Sequence, residues 1–195
     1  MAKVGLGFRH HTGWAIAVAV TGGVESLEVL DRRRIELIDP SLIRFAYHNV
    51  QDAPLDKAAT SIAEVEASAL TCATSEISAL VSSLAADGHK VRGVGIAAKT
   101  AKLPDALEKI LSSHALLHAA EGDLYREALA EGAAGCGLPV AGFPPKEIYA
   151  DAAAELGTSD AALRDLLTRT GKAIGKPWTA DHREAVLAAL LALAG

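Results

Sequence analysis

The sequence predicts an α/β fold: a mixed five-stranded sheet with helices on both faces and extra helices at the C-terminal end. Three observations carry this. Strand-like and helix-like segments follow one another in the order β-β-β-α-β-α-β-α, which packs as a sheet covered by helices. Short apolar or alternating runs give way after residue 54 to apolar residues at helical spacing. Half of the 195 residues are hydrophobic but only 4% are aromatic, so the core has to be built from Ala, Leu, Val and Ile, in a chain of globular composition and single-domain length.

Lys3 to Phe8, Thr12 to Thr21 and Val24 to about Ile38 read as three strands. Gly22-Gly23 supplies positive φ at both central positions of a two-residue hairpin, so a β-meander over residues 1–38 opens the domain. Arg32, Arg33 and Arg34 precede the alternation Ile35, Glu36, Leu37, where a bend can split the third run, and Pro40 ends it. Residues 39–54 contain Pro40, Tyr47, His48, Asn49 and Pro54 without a period and read as a surface loop of a length often used for function.

Residues 55–143 then alternate α-β-α-β. Ile62, Val65, Ala69, Ala73, Ile77, Leu80 and Leu84 make one helical stripe between Leu55 and Ala86. Gly88 stops that helix, and Val91 to Ala98 reads as a buried strand. Pro104 can open a short helix, and Ser112 or Ser113 can cap a longer one running to about Ala134. Gly135-Cys136-Gly137 closes it. Leu138 to Phe143 is the fifth strand, stopped by Pro144-Pro145. Residues 144–195 are helical, at about 146–156, 159–174 and 179–194, with breaks at Gly157, Gly175 and Pro177.

The 19 basic and 24 acidic residues give a formal charge of −5, so no strong nucleic-acid field surrounds the whole molecule. The longest uninterrupted apolar runs, Trp14 to Val20 and Ala185 to Ala194, are far shorter than the roughly 20 residues of a membrane span, and no membrane partner is expected. The start enters a strand directly, without an export-signal pattern. Cys72 and Cys136 do not form a metal-type pair, and two inert thiols fit a reducing cytoplasm. Cys136 reads as a small buried thiol.

Three stretches carry a family resemblance. Val4-Gly-Leu-Gly-Phe-Arg-His-His-Thr-Gly-Trp14 is similar to an opening strand in which an aspartate is followed by Thr-Gly-aromatic. Gly137-Leu-Pro-Val-Ala-Gly-Phe-Pro-Pro-Lys-Glu-Ile148 looks like a last strand running into a Pro and Lys segment, and Ala180-Asp-His-Arg-Glu-Ala-Val-Leu-Ala-Ala189 like a final helix with two acids three apart. With the element order, they resemble the ribonuclease H-like superfamily, and within it the RuvC-type Holliday-junction resolvases. The resemblance implies phosphodiester hydrolysis by two Mg²⁺ ions held by carboxylates. Here the first-strand aspartate aligns with Gly7, and the second acid with the segment Ala97, Ala98, Lys99. Only Asp181 and Glu184 match the final pair, which argues against an active two-metal nuclease. Asp181 also has an ordinary explanation, a negative charge in the first turn of a helix.

His114, His118 and Glu121 lie at i, i+4 and i+7 and share one helix face. Two His at this spacing beside a carboxylate can hold a transition metal or act as acid and base; the same spacing fits a polar face beside Leu117 and Leu124. His114, His118, Glu121 and Asp181 are therefore the catalytic candidates, and Arg9, His48 and Glu184 the ligand-binding ones, with His10 and His11 near Arg9. A polar pocket of His and Arg in place of metal-binding carboxylates is the expectation these positions share.

No Walker A pattern, dinucleotide loop or G-x-S-x-G elbow occurs, so the sequence assigns no cofactor. Gly5-Leu-Gly7 and Gly93-Val-Gly95 fit close strand packing, and Arg32 to Arg34 a protected strand edge. Three readings follow: a ribonuclease H-like protein that binds nucleic acid or a protein partner without cutting; a metal-dependent or acid/base enzyme using the His/Glu face; and an assembly module whose apolar helix, Val186 to Leu193, is buried in the core or in a homodimer.

Overall fold

The computed structural model describes all 195 residues. β1 (Lys3–His11), β2 (Trp14–Thr21) and β3 (Glu28–Glu36) form an antiparallel meander. β4 (Lys90–Ile96) pairs parallel with β1, and β5 (Val140–Gly142) parallel with β4, giving the order β3-β2-β1-β4-β5. The helices are α1 (Ala46–Asn49), α2 (Leu55–Ala86), α3 (Leu107–Leu111), α4 (His114–Gly135), α5 (Ile148–Glu155), α6 (Asp160–Ile174) and α7 (Ala180–Ala194).

Side-chain alternation along β1 divides the core. Val4, Leu6 and Phe8 enter the larger apolar cluster, under α2 and α4, with the buried stripe of α2. The opposite face meets α7 through Gly5 and Gly7. A β-carbon at Gly7 would collide with the carbonyl oxygen of Ala185 and lie 2.8 Å from both Ala185 C and Ala189 N. At Gly5 it would meet the Ala189 carbonyl, and at Gly95 the Ala188 carbonyl. These glycines let a helix backbone lie directly on the sheet, and Ala185 to Leu191 of α7 are buried there. Burial of α7 inside the chain accounts for its apolar surface without a homodimer.

By length and mean hydropathy α2 meets the minimum for a membrane-crossing helix. Its apolar stripe is packed in the core, however, and its outer face carries exposed Glu64 and Glu66.

Several expected details differ. The β2–β3 connection is not a two-residue hairpin: only Gly22 has positive φ, 79°. The chain continues through a turn in which Ser26 N donates to Gly23 O (3.1 Å) and Gly23 N donates to Ser26 Oγ (3.3 Å). β3 therefore starts at Glu28 and runs unbroken past the three arginines. The 39–54 segment contains α1. Ser113 is the N-cap of α4 by position, but its side chain makes no cap hydrogen bond. β5 is shorter than its apolar run because Pro139 and Pro144 lack the N–H a ladder needs. The flanking bonds still form, from Val94 N to Pro139 O and from Phe143 N to Ile96 O, each 2.9 Å.

The arginine run is more than a solvated edge. Arg33 pairs with Asp31, and Arg34 with Glu36 while lying over the Trp14 ring. Arg32 instead reaches across the sheet and donates to the carbonyls of Ile174 (2.9 Å), Gly175 (2.8 Å), Lys176 (3.4 Å) and Pro177. One guanidinium so fastens the α6–α7 connection to the edge strand.

Candidate functional site

Parallel strands β1 and β4 end side by side, and in open α/β sheets such carboxyl ends are where ligands sit. Here they open into a cleft of about 630 Å³. Arg9 and His10 of β1 form one wall, Ala98 to Lys102 after β4 another, and His118, Ala119, Gly122 and Asp123 of α4 a third. Lys99 and Lys102 are exposed and make no ion pair. Asp123, the one acid on the wall, is engaged by Arg126 Nε (2.6 Å) and Ala101 N (3.2 Å). The free charge facing the cleft is therefore positive. His10 is buried, its Nδ1 has no hydrogen-bond partner, and burial together with neighbouring Arg9 and His11 lowers its pKa to about 4.

The candidate residues fall into two groups flanking this cleft. The first joins β1 to the start of α7, because residues 5, 7, 9 and 11 share the α7 face of the strand. Arg9 Nε donates to Glu184 Oε2 at 2.7 Å and lies 4.0 Å from Asp181 Oδ1. His11 stacks on Trp14 with ring centroids 4.2 Å apart, and its Nε2 is 3.2 Å from Asp181 Oδ1 without the alignment of a hydrogen bond. The first turn of α7 is fixed by Thr179, whose N–H donates to His182 Nδ1 (3.2 Å) in a reciprocal cap. His182 is held below the ordinary imidazole range by burial and by Arg32.

The residues here do not fit the two-Mg²⁺ arrangement. Gly7 offers no oxygen, and the space its side chain needs is filled by the backbone of α7. The end of β4 presents buried Ala97 and Ala98. Glu184 and Asp181 already face a guanidinium and an imidazole, where a metal ion would need their oxygens free.

The second group joins α1 to the start of α4. His114 and His118 lie one turn apart, edge to face, with ring centroids 4.5 Å from each other, and His48 stands against them at 5.8 and 4.7 Å. Glu121 shares their helix face but lies where α1 covers it, so it is 2% exposed and not part of a solvated surface. Its Oε1 accepts from Tyr47 N (2.8 Å) and His48 N (3.1 Å) and lies 3.2 Å from His48 Nδ1. Burial and nearby acids push Tyr47 up to about 12.

The single pocket expected from the sequence is thus two clusters. Arg9, Asp181 and Glu184 come together on one side, and His48, His114, His118 and Glu121 on the other. Arg9 and His118 both reach the cleft; His48, His114 and Asp181 do not line it. Lys102, Thr100 and Asp123 also line it, and no motif singled them out. A pair of lysines three apart in a segment ended by Pro104 was the available signal.

The sheet order, the parallel β1–β4–β5 half and the helices on both faces define a ribonuclease H-like α/β fold. No protein-family model and no curated protein matches the sequence. Among solved structures, the chain is similar to Thermus thermophilus RuvC, at 12% identity with a TM-score of 0.52, over 98% of this chain and 92% of that one. It is equally similar to T. thermophilus RuvC in complex with a Holliday junction substrate, at 12% identity and a TM-score of 0.51, over 98% and 91%. At this identity the likeness is one of fold.

Proposed function

We propose that this protein is a non-cutting ribonuclease H-like protein that holds a phosphodiester strand of nucleic acid in the cleft at the carboxyl ends of β1 and β4. The observation that carries the reading is the charge of that cleft. Lys99 and Lys102 stand without an ion pair, beside the Glu184-paired Arg9, at the edge where the fold's nuclease chemistry requires carboxylates. Cations there match phosphate, and Thr100 adds a hydroxyl that can meet it. The acids at the start of α7 orient Arg9 rather than a metal. The overall charge of −5 keeps the rest of the surface from adding non-specific affinity. The bound protein in one structurally similar complex is RuvC with a Holliday junction, which makes a branched duplex the first ligand to test.

The experiment is a fluorescence anisotropy titration of labelled four-way junction and linear duplex at several salt concentrations. Binding should weaken with salt, and the Lys99→Ala/Lys102→Ala double variant should reduce the log–log salt slope by about 1.8, because two lysines no longer neutralise phosphates. No binding of either DNA at micromolar protein rejects the nucleic-acid reading and leaves a protein partner as the cleft's ligand.

A further inference from the structure

From the histidine cluster beside the cleft we infer a second site: His48, His114 and His118 bind one divalent transition-metal ion of the Zn²⁺ class, and Glu121 positions His48 for it. One ring nitrogen from each of the three histidines lies within 4.8 Å of the others. The fold's Mg²⁺ chemistry needs hard oxygen ligands, whereas a set made only of imidazoles selects Zn²⁺, Co²⁺, Ni²⁺ or Cu²⁺.

The tautomer of His48 follows from its partner. Glu121 Oε1, as a carboxylate oxygen, can only accept, so His48 Nδ1 carries the proton that faces it. Nε2 then bears the lone pair, and it is buried without any hydrogen-bond partner. A carboxylate behind one imidazole nitrogen and an empty lone pair on the other is the arrangement that orients metal-bound histidines. The same Glu121 oxygen also accepts the N–H groups of Tyr47 and His48, so the turn carrying His48 is fixed against α4.

His114 and His118 need no such support. Being i and i+4 on one helix they can close on one ion, and both are exposed. Free rotation of these rings lets the nitrogens contract to the roughly 3.3 Å mutual spacing of a tetrahedral site with Zn–N bonds of about 2.05 Å. Three protein ligands leave a fourth position for water or an anion. Since His118 also lines the cationic cleft, that position lies at the cleft's rim.

The test uses untagged full-length protein stripped with chelator. Zn²⁺ is titrated calorimetrically, and Co²⁺ is followed by the visible absorption that tetrahedral coordination intensifies. One ion per chain is expected, with affinity lowered about 100-fold or more in His114→Ala and in His118→Ala and about 10- to 100-fold in Glu121→Gln. His89→Ala, outside the cluster, should bind like the parent. Because His114 and His118 are exposed, their variants keep the fold and decide the matter even if changes at buried Glu121 do not. Absence of stoichiometric Zn²⁺ and Co²⁺ uptake, or unchanged uptake in both exposed variants, overturns the site. No nucleic acid is present in this measurement, so its failure leaves the reading of the cleft untouched.

Discussion

Replacing Gly7 tests whether the missing aspartate of the opening strand is a simple loss or part of how α7 packs. In Gly7→Ala the new β-carbon meets the carbonyl oxygen of Ala185, with Ala185 C and Ala189 N at 2.8 Å. The obstructing atoms are helix backbone, so no side chain can rotate aside, and α7 has to move off the sheet along the length that buries Ala185 to Leu191. The cost falls at the upper end of overpacking, about 3 kcal/mol. For a chain of this size that lowers Tm by about 6–12 °C, and with a urea slope of about 2 kcal/mol/M it moves the midpoint by about 1.5 M. Gly7→Asp should be at least as costly, so restoring the acid disrupts the fold before it restores metal binding. Gly23→Ala is the control, since nothing lies within 4 Å of its added carbon. Urea unfolding of all three variants is the assay. If Gly7→Ala stays within about 0.5 kcal/mol of the parent, the close approach of α7 is wrong and so is the packing role of Gly7.

Two further perturbations bear on the same edge of the sheet. His10 titrates near 4 in the folded chain against an ordinary 6.5, so the unfolded chain takes up the proton first. Stability from the buried neutral imidazole is fully present above pH 6.5 and is lost as pH falls toward 4, with a ceiling of about 3 kcal/mol. His10→Gln should flatten the pH dependence of urea unfolding between those values; an unchanged profile means His10 is not buried neutral. Arg32→Ala removes donors to four consecutive carbonyls of the α6–α7 connection. Amide exchange at residues 171–179 should accelerate, with a global loss of only about 1 kcal/mol because these hydrogen bonds are largely exposed. Equal exchange in both proteins would show that the clamp holds nothing.

The fold was legible because the stripe from Ile62 to Leu84 kept the helical period, while the short apolar runs opening at Lys3 and Val91 form strands buried along most of their length. Failures came where conformation depends on distant chain. Gly22-Gly23 carries hairpin chemistry, but Ser26 closes the turn one step further on. Alternation in β3 sorts Arg32 from Arg33 yet cannot reveal a loop arriving some 140 residues later. Helical spacing put His114, His118 and Glu121 on one face correctly. What it could not supply was depth, because the segment that buries Glu121 and brings in His48 belongs to a loop without a period. The glycine at position 7 was visible as an absent ligand, while its packing role required the position of α7.

Incubation of the protein with a labelled four-way junction in Mg²⁺ and, separately, Mn²⁺, with binding and strand scission read from the same samples, separates holding DNA from cutting it. A non-cutting cationic cleft predicts a salt-sensitive complex, weakened by Lys99→Ala/Lys102→Ala, from which the DNA is recovered intact with either ion. Metal-dependent nicking that is lost in Asp181→Asn would contradict it, because Arg9 would then be yielding the α7 carboxylates to a catalytic metal.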